Sequence, residues 1–228
     1  MNIFSPYKTM EDSAKLCPNN TNVKLIIRHS LRPHIEIVDG KHQDVSLTSE
    51  GKMLARKLGA SLELSLGSLV HSSHARCKQT CEEIINGFLE RNKTSDLPFE
   101  IFDSKILKNS HVQDGRKCGE NFSKHGNEGI FRKYANGESL EGQYNLRESV
   151  TPMVDCIFET GNKPLTIDIF CTHDFQMTLF LLSFFGCGQE NQAKILEKWP
   201  QMLEGMFLWG ERNRFYVVWR GEKHEVIM

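Results

Sequence analysis

The chain has 228 residues, 39% of them hydrophobic and 25% charged, a balance that suits a substantial buried core and excludes disorder, collagen-like repeats and disulfide miniproteins. Its 28 Lys and Arg against 29 Asp and Glu leave a formal net charge of −1, without the basic excess of an electrostatic nucleic-acid binder. The length favours one domain spanning 1–228.

The N-terminal MNIFSPYKTMEDSAKLC carries Glu11 and Asp12 where the apolar core of a secretory signal would continue, so it reads as unprocessed. Val23 to Ile27 (VKLII) is a β-branched apolar run of the kind found in strands covered on both faces, and it ends directly in Arg28 and His29. From Thr48, a suitable N-cap, the residues Met53, Leu54, Leu58 and Leu62 recur at helical spacing. Ser68–Ser72 predicts a short strand, Cys77–Leu89 a helix, and Phe99–Phe102 another strand.

The interval 104–137 is polar, holds Gly115, Gly119, Gly126, Gly129 and Gly137, and lacks periodicity, so it is expected to be an insertion or lid rather than core. Leu140–Phe158 predicts a helix interrupted by Pro152, with Ser139 beside Glu138 as its N-cap. Leu165–Cys171 is a second convincing strand. Phe175–Phe185, apolar nearly all round, predicts a buried helix stopped by Gly186 and Gly188, and the tail MFLWGERNRFYVVWRG predicts a hairpin turning at GERN.

Strands alternating with helices predict an α/β fold, a three-layer α/β/α sandwich on a mostly parallel central sheet with a polar lid insertion and a C-terminal antiparallel hairpin. The uncharged stretch Phe175–Gln189 falls short of the roughly 18 apolar residues of a membrane span, and the expected location is cytoplasmic. Cys17, Cys77, Cys81, Cys118, Cys156, Cys171 and Cys187 form no CxxC pair, which suggests reduced thiols; Cys77 and Cys81 share a helical face and are expected to pack there.

Open α/β sheets bind ligands beyond the carboxyl ends of their strands. Here one strand runs into Arg28, His29, Ser30, Leu31, Arg32 and Pro33, another into Thr172, His173 and Asp174, and a third precedes Arg76. If these ends converge they assemble two histidines, three arginines and an aspartate. Arginine's planar, permanently charged fork suits phosphoryl oxygens, and a histidine among three arginines is a candidate nucleophile. For each residue a plainer role also exists: salt bridges for Arg28 and Arg76, a hydrogen-bonded strand end for His29, a helix cap for Asp174. His34, His71 and His74 read as pocket rim or surface.

In this setting the chain resembles the histidine phosphatase superfamily, which includes phosphoglycerate mutases and histidine acid phosphatases. RHSLRP at 28–33 is similar to the signature RHGxRxP, LTSEGKMLARKLG at 47–59 to LTxxGxxQAxxLG, HSSHARCKQTCEEI at 71–84 to SSPLxRAxQTAEI, NGESLEGQYNLRESV at 136–150 to the mutase-like GESxxxxxxR, and THD at 172–174 to the acid-phosphatase HD motif. The resemblance implies a phosphatase that hydrolyses phosphomonoesters through phosphohistidine on His29. Arg28, Arg32 and Arg76 would bind the phosphate with a protonated His173, and Asp174 would donate the proton and then, as carboxylate, activate the hydrolytic water, with Asp114 a positional alternative as donor.

Ser30 departs from the pattern by replacing the signature glycine, and a side chain there is expected to alter rate or geometry. A small phosphomonoester or a phosphoprotein is the expected substrate, with no cofactor, metal, nucleic acid or membrane. The alternatives are a mutase-like phosphotransferase and a non-catalytic protein that binds a phosphorylated ligand.

Overall fold

A computed structural model gives the architecture and describes residues 1–34, 37–38, 41–42, 44–93, 100–185 and 189–228. Helix α1 (Lys8–Lys15) leads into strand β1 (Val23–Arg28), and the short ribbon of β2 (Ile37–Val38) and β3 (Lys41–His42) precedes α2 (Ser49–Ser61), β4 (Ser65–His71) and α3 (Ala75–Asn92). After β5 (Ile101–Asp103) come three helices, α4 (Ile106–Asn109), α5 (Gly115–Ala135) and α6 (Leu146–Glu159). Strand β6 (Thr166–Thr172), helices α7 (Asp174–Phe185) and α8 (Gln189–Glu197), and strands β7 (Gly205–Glu211), β8 (Arg214–Trp219) and β9 (Glu222–Ile227) complete the chain.

The sheet runs β5-β4-β6-β1-β7-β8-β9. Its first four strands are parallel, as expected of the core, and its last three antiparallel, so the expected hairpin gains β9 as a third strand. β1 and β6 lie side by side in the middle, and both apolar runs are buried on both faces. Alternation decides the facing: Val23, Leu25, Ile27, Ile167 and Ile169 pack with α1, α2 and α3, whereas Ile26 and Phe170 pack with the helices of the other layer.

Local chemistry explains most boundaries. Thr48 Oγ1 accepts the Gly51 amide at 2.9 Å and starts α2, and a Cβ at Gly51 would run into the Leu31 carbonyl, so glycine lets the helix approach the loop after β1. The helix expected from Leu140 starts instead at Leu146. Asn145, not Ser139, is its cap, because Asn145 and Glu148 form a reciprocal capping box at 2.9 and 3.1 Å. Pro152 lies inside α6 without breaking it, since Val150, Met153, Val154 and Ile157 hold the helix against the core.

The interval 104–137 corrects the expectation more deeply. It forms α4 and all of α5, which kinks at Gly126, and Leu107, Ile130, Phe131 and Tyr134 are core residues. Its polar character belongs mainly to the first half of α5, where exposed charges mask the helical repeat. The expected strand at 99–102 falls at 101–103; Phe99, Gly186, Cys187 and Gly188 lie outside the described residues. Among the described residues no helix is long and apolar enough to cross a membrane.

Candidate active site

The carboxyl ends of β4, β6 and β1, three neighbouring strands, deliver the reactive residues to one place. Backbone bonds stitch these ends together: the His29 amide donates to the Thr172 carbonyl at 3.0 Å, and the Ser72 amide to the Cys171 carbonyl at 2.9 Å. His29 is 2% exposed, and its Nδ1 lies 2.9 Å from the Ser30 carbonyl. A carbonyl only accepts, so the neutral ring carries its hydrogen on Nδ1 and keeps the lone pair on Nε2. Burial, and then the charges of Arg28, Arg76 and Arg32, hold His29 well below its usual pKa and outweigh the Ser30 bond.

Ser30, in place of the signature glycine, is accommodated without strain. It does not fall in the positive-φ region, its amide donates to Thr80 Oγ1 at 3.0 Å, and its hydroxyl donates to the Gly51 carbonyl at 2.8 Å. The side chain therefore ties the loop after β1 to α2, and the Ser30 amide ties the same loop to α3.

His173 lies beside His29 with ring centroids 5.5 Å apart. Arg76 donates from an Nη to His173 Nδ1 at 3.3 Å, which makes Nδ1 the acceptor and leaves the hydrogen on Nε2, 2.7 Å from Ser72 Oγ. Burial and Arg76 push His173 well below its usual range. Both effects favour the neutral ring, and the arginines carry the pocket's fixed positive charge.

Arg28 is anchored on both sides: one Nη donates to the Pro200 carbonyl at 2.7 Å, and the other pairs with Asp174 Oδ2 at 2.9 Å. Asp174 opens α7, and its Oδ1 accepts the Phe175 amide at 2.9 Å. Arg32 has one bond, to the Pro33 carbonyl, and lies in the fields of Arg76, Arg28 and Asp174. The Nε atoms of Arg28, Arg32 and Arg76 are all buried without a hydrogen-bond partner among the described residues. Buried donors are nearly always paired, so three orphans on three converging guanidinium groups mark the place of an anion.

Of the residues expected at the site, Arg28, His29, Arg32, Arg76, His173 and Asp174 are brought together. Asp114 instead caps α5 through the amides of Arg116 and Lys117, which hold its carboxyl below the usual range, the wrong direction for a proton donor. Sequence reasoning missed Asp44, which accepts the Ala75 amide at the start of α3 and faces His74 Nδ1 at 3.3 Å and an Arg76 Nη at 3.5 Å. Its signal was the position of HQD just ahead of the LTSEG helix start.

A second missed support is Glu204, 1% exposed and bound by Arg220 through two bonds of 2.7 and 2.8 Å. It fixes a loop whose Leu203 amide donates to the carbonyls of Arg28 and His29. Among the described residues no group of three His, Cys, Asp or Glu is placed to hold a metal ion.

Arginines and histidines thus gather at the carboxyl ends of the parallel strands, the edge at which open α/β sheets place their ligands. The model of the histidine phosphatase superfamily (branch 1) matches residues 25–195, and the chain belongs to that superfamily, a family of phosphatases and phosphotransferases. No curated protein matches it. Among solved structures it is similar to Bacillus stearothermophilus YhfR (16% identity, TM-score 0.52, 88% of this chain and 97% of that one) and to mycobacterial hydrolase 2 (14%, 0.53, 90% and 93%). Mycobacterial hydrolase 1 is similar at 11% identity and TM-score 0.53, over 90% of this chain and 97% of that one. At such identities the likeness concerns the fold.

Proposed function

We propose that the chain is a phosphatase that hydrolyses phosphomonoesters through phosphohistidine on His29. One observation carries the reading: the Ser30 carbonyl fixes His29 in the tautomer with a free Nε2, amid three guanidinium groups whose Nε donors are unpaired. Nε2 attacks phosphorus as the bond to the ester oxygen breaks, and Arg28, Arg32 and Arg76 offset the charge developing on the phosphoryl oxygens. Asp174, beside Arg28, delivers a proton to the departing alcohol and returns to the carboxylate seen in the ion pair. Water then cleaves phosphohistidine. His173 holds Arg76 in place through its Nδ1.

The substrate is a small phosphomonoester or a phosphoprotein, and the test is phosphate release from a panel of both between acidic and neutral pH. Wild type is expected to turn over and His29→Ala to fall to background, with an acid-labile phosphoryl label on the wild type alone. Folded wild-type protein that binds esters without releasing phosphate would instead be a binding protein, and phosphoryl transfer to a second ester in place of water would make it a mutase.

A further inference from the structure

Three imidazoles stand in a row at the pocket, and only one has neither an assigned chemical task nor two occupied nitrogens. His29 is the nucleophile. His173 is bonded at both nitrogens, to Arg76 and to Ser72. His74, directly before α3, meets the His173 ring edge-on with centroids 5.0 Å apart. Its side chain is 19% exposed, its Nδ1 faces Asp44 at 3.3 Å, and its Nε2 has no hydrogen-bond partner among the described residues. A carboxylate that holds Nδ1–H leaves Nε2 as a proton acceptor whose positive form it stabilises, the usual way in which a histidine base is oriented.

We infer that His74, positioned by Asp44, is the catalytic base that activates water in the second half of the reaction, the hydrolysis of phosphohistidine. The inference rests on the phosphohistidine reading above. Both oxygens of the Asp174 carboxylate already hold a partner, Oδ2 the Arg28 guanidinium and Oδ1 the Phe175 amide, whereas His74 Nε2 has none among the described residues. In the proposed step a water oxygen bonds to phosphorus while the bond from phosphorus to His29 Nε2 breaks. The water proton passes to His74 Nε2, and the electron pair of the broken bond returns to His29 as its lone pair. His74 then releases its proton to solvent, and Asp174 regains one for the next ester.

The charges around His74 agree with a resting base. Burial, Arg76 and Lys108 hold it below its usual range, against the opposing pull of Asp44, and the His173 ring packs against its edge. The resting ring is therefore neutral near neutral pH, with its Nε2 lone pair free of a proton. Sequence similarity would not single this residue out, since His74 occupies the apolar position of the SSPLxR-like segment.

The two half-reactions can be timed separately by rapid mixing with p-nitrophenyl phosphate, following nitrophenol release and acid-labile phosphoryl label together. Wild type, His74→Ala and Asp44→Asn are compared, with thermal melts to establish that each is folded. His74→Ala is expected to keep a burst of nitrophenol near one equivalent per site and to accumulate label, with steady-state turnover reduced about 100-fold to 10,000-fold. Asp44→Asn should accumulate label to a lesser extent. His74→Gln, which keeps a polar side chain but accepts no proton, should behave as His74→Ala; recovery of wild-type label decay in it would assign His74 to hydrogen bonding and overturn the inference. Label decay in His74→Ala at the wild-type rate, or loss of the burst with no label, would also overturn it, whereas absence of label in the wild type would overturn the phosphohistidine reading with it.

Discussion

Two buried charge clusters occupy opposite ends of the same pair of strands, and they are built in opposite ways. At the amino end, Lys24 of β1 pairs with Asp168 of β6 at 3.2 Å, with both side chains 2% exposed or less. Lys24 also donates to the Thr160 carbonyl at 2.8 Å. Asp168 accepts from Asn22 Nδ2 at 2.8 Å and from the Ser68 amide at 2.7 Å, where β4 shifts register around Gly67. Each charge has its opposite and further hydrogen bonds besides. Four residues along, Arg28 faces Thr172 in the same register, and from there the arginines outnumber their carboxylates and keep unpaired Nε donors. The first cluster is neutral and saturated, as folding requires of buried charge; the second retains a positive excess, which destabilises the free protein and favours an anion.

The widest test of this contrast is to break the saturated end. Lys24→Met leaves Asp168 buried without its cation, and a loss of about 3–5 kcal/mol is expected from denaturant unfolding, with phosphate release per folded molecule unchanged. The corresponding change at the other end, Arg76→Ala, is expected to lower turnover about 100-fold to 1,000-fold, equivalent to about 2.7–4 kcal/mol of transition-state stabilisation. It should cost far less folding stability, because it relieves repulsion from Arg28 and Arg32, and it should weaken the rise in melting temperature that inorganic phosphate produces. Equal destabilisation by the two variants would remove the distinction between the clusters.

A smaller effect sharpens it through pH. His29 and His173 are held neutral by burial and the arginines, and burial lowers His111, beside the aromatic rings of Phe122 and Phe175, to about 4. Below the ordinary histidine pKa of about 6.5 the unfolded chain binds protons that the folded one refuses. Stability is therefore complete above that value and declines as pH falls, by up to about 1.4 kcal/mol per pH unit for each such group. His111→Phe keeps a ring in place and should flatten the melting-temperature profile between pH 6.5 and 4; an unaltered profile would place the acid sensitivity elsewhere.

Much of the site was legible because it follows strand ends. The runs VKLII and LTIDIFC announce central strands by composition alone, and the residues immediately after them, together with Arg76 at the start of the next helix, are the arginines and histidines that converge. Thr48 was readable as a cap because its partner lies three residues away. By contrast, Ser139 and Asn145 offer similar local chemistry, and the choice between them depends on where α6 meets the core. The buried half of α5 was hidden because Ile130, Phe131 and Tyr134 are interleaved with glycine and charge, and only packing against the neighbouring helices shows them to be core.

By itself, then, the sequence determined the pattern of strand and helix, the family motifs and which arginines and histidines follow the central strands, because these depend on periodicity and on residues close together in the chain. Tertiary structure alone decided the partners that cross long separations. It set Asp44 against His74 and Arg76, the Ser30 hydroxyl on the Gly51 carbonyl, Arg28 between Pro200 and Asp174, and Glu204 with Arg220 beside the loop after β1. It also decided which charges are saturated and which are left open. Hydrogen bonding and burial at a site depend on distances in space, and those distances exist only once the sheet has brought its strand ends together.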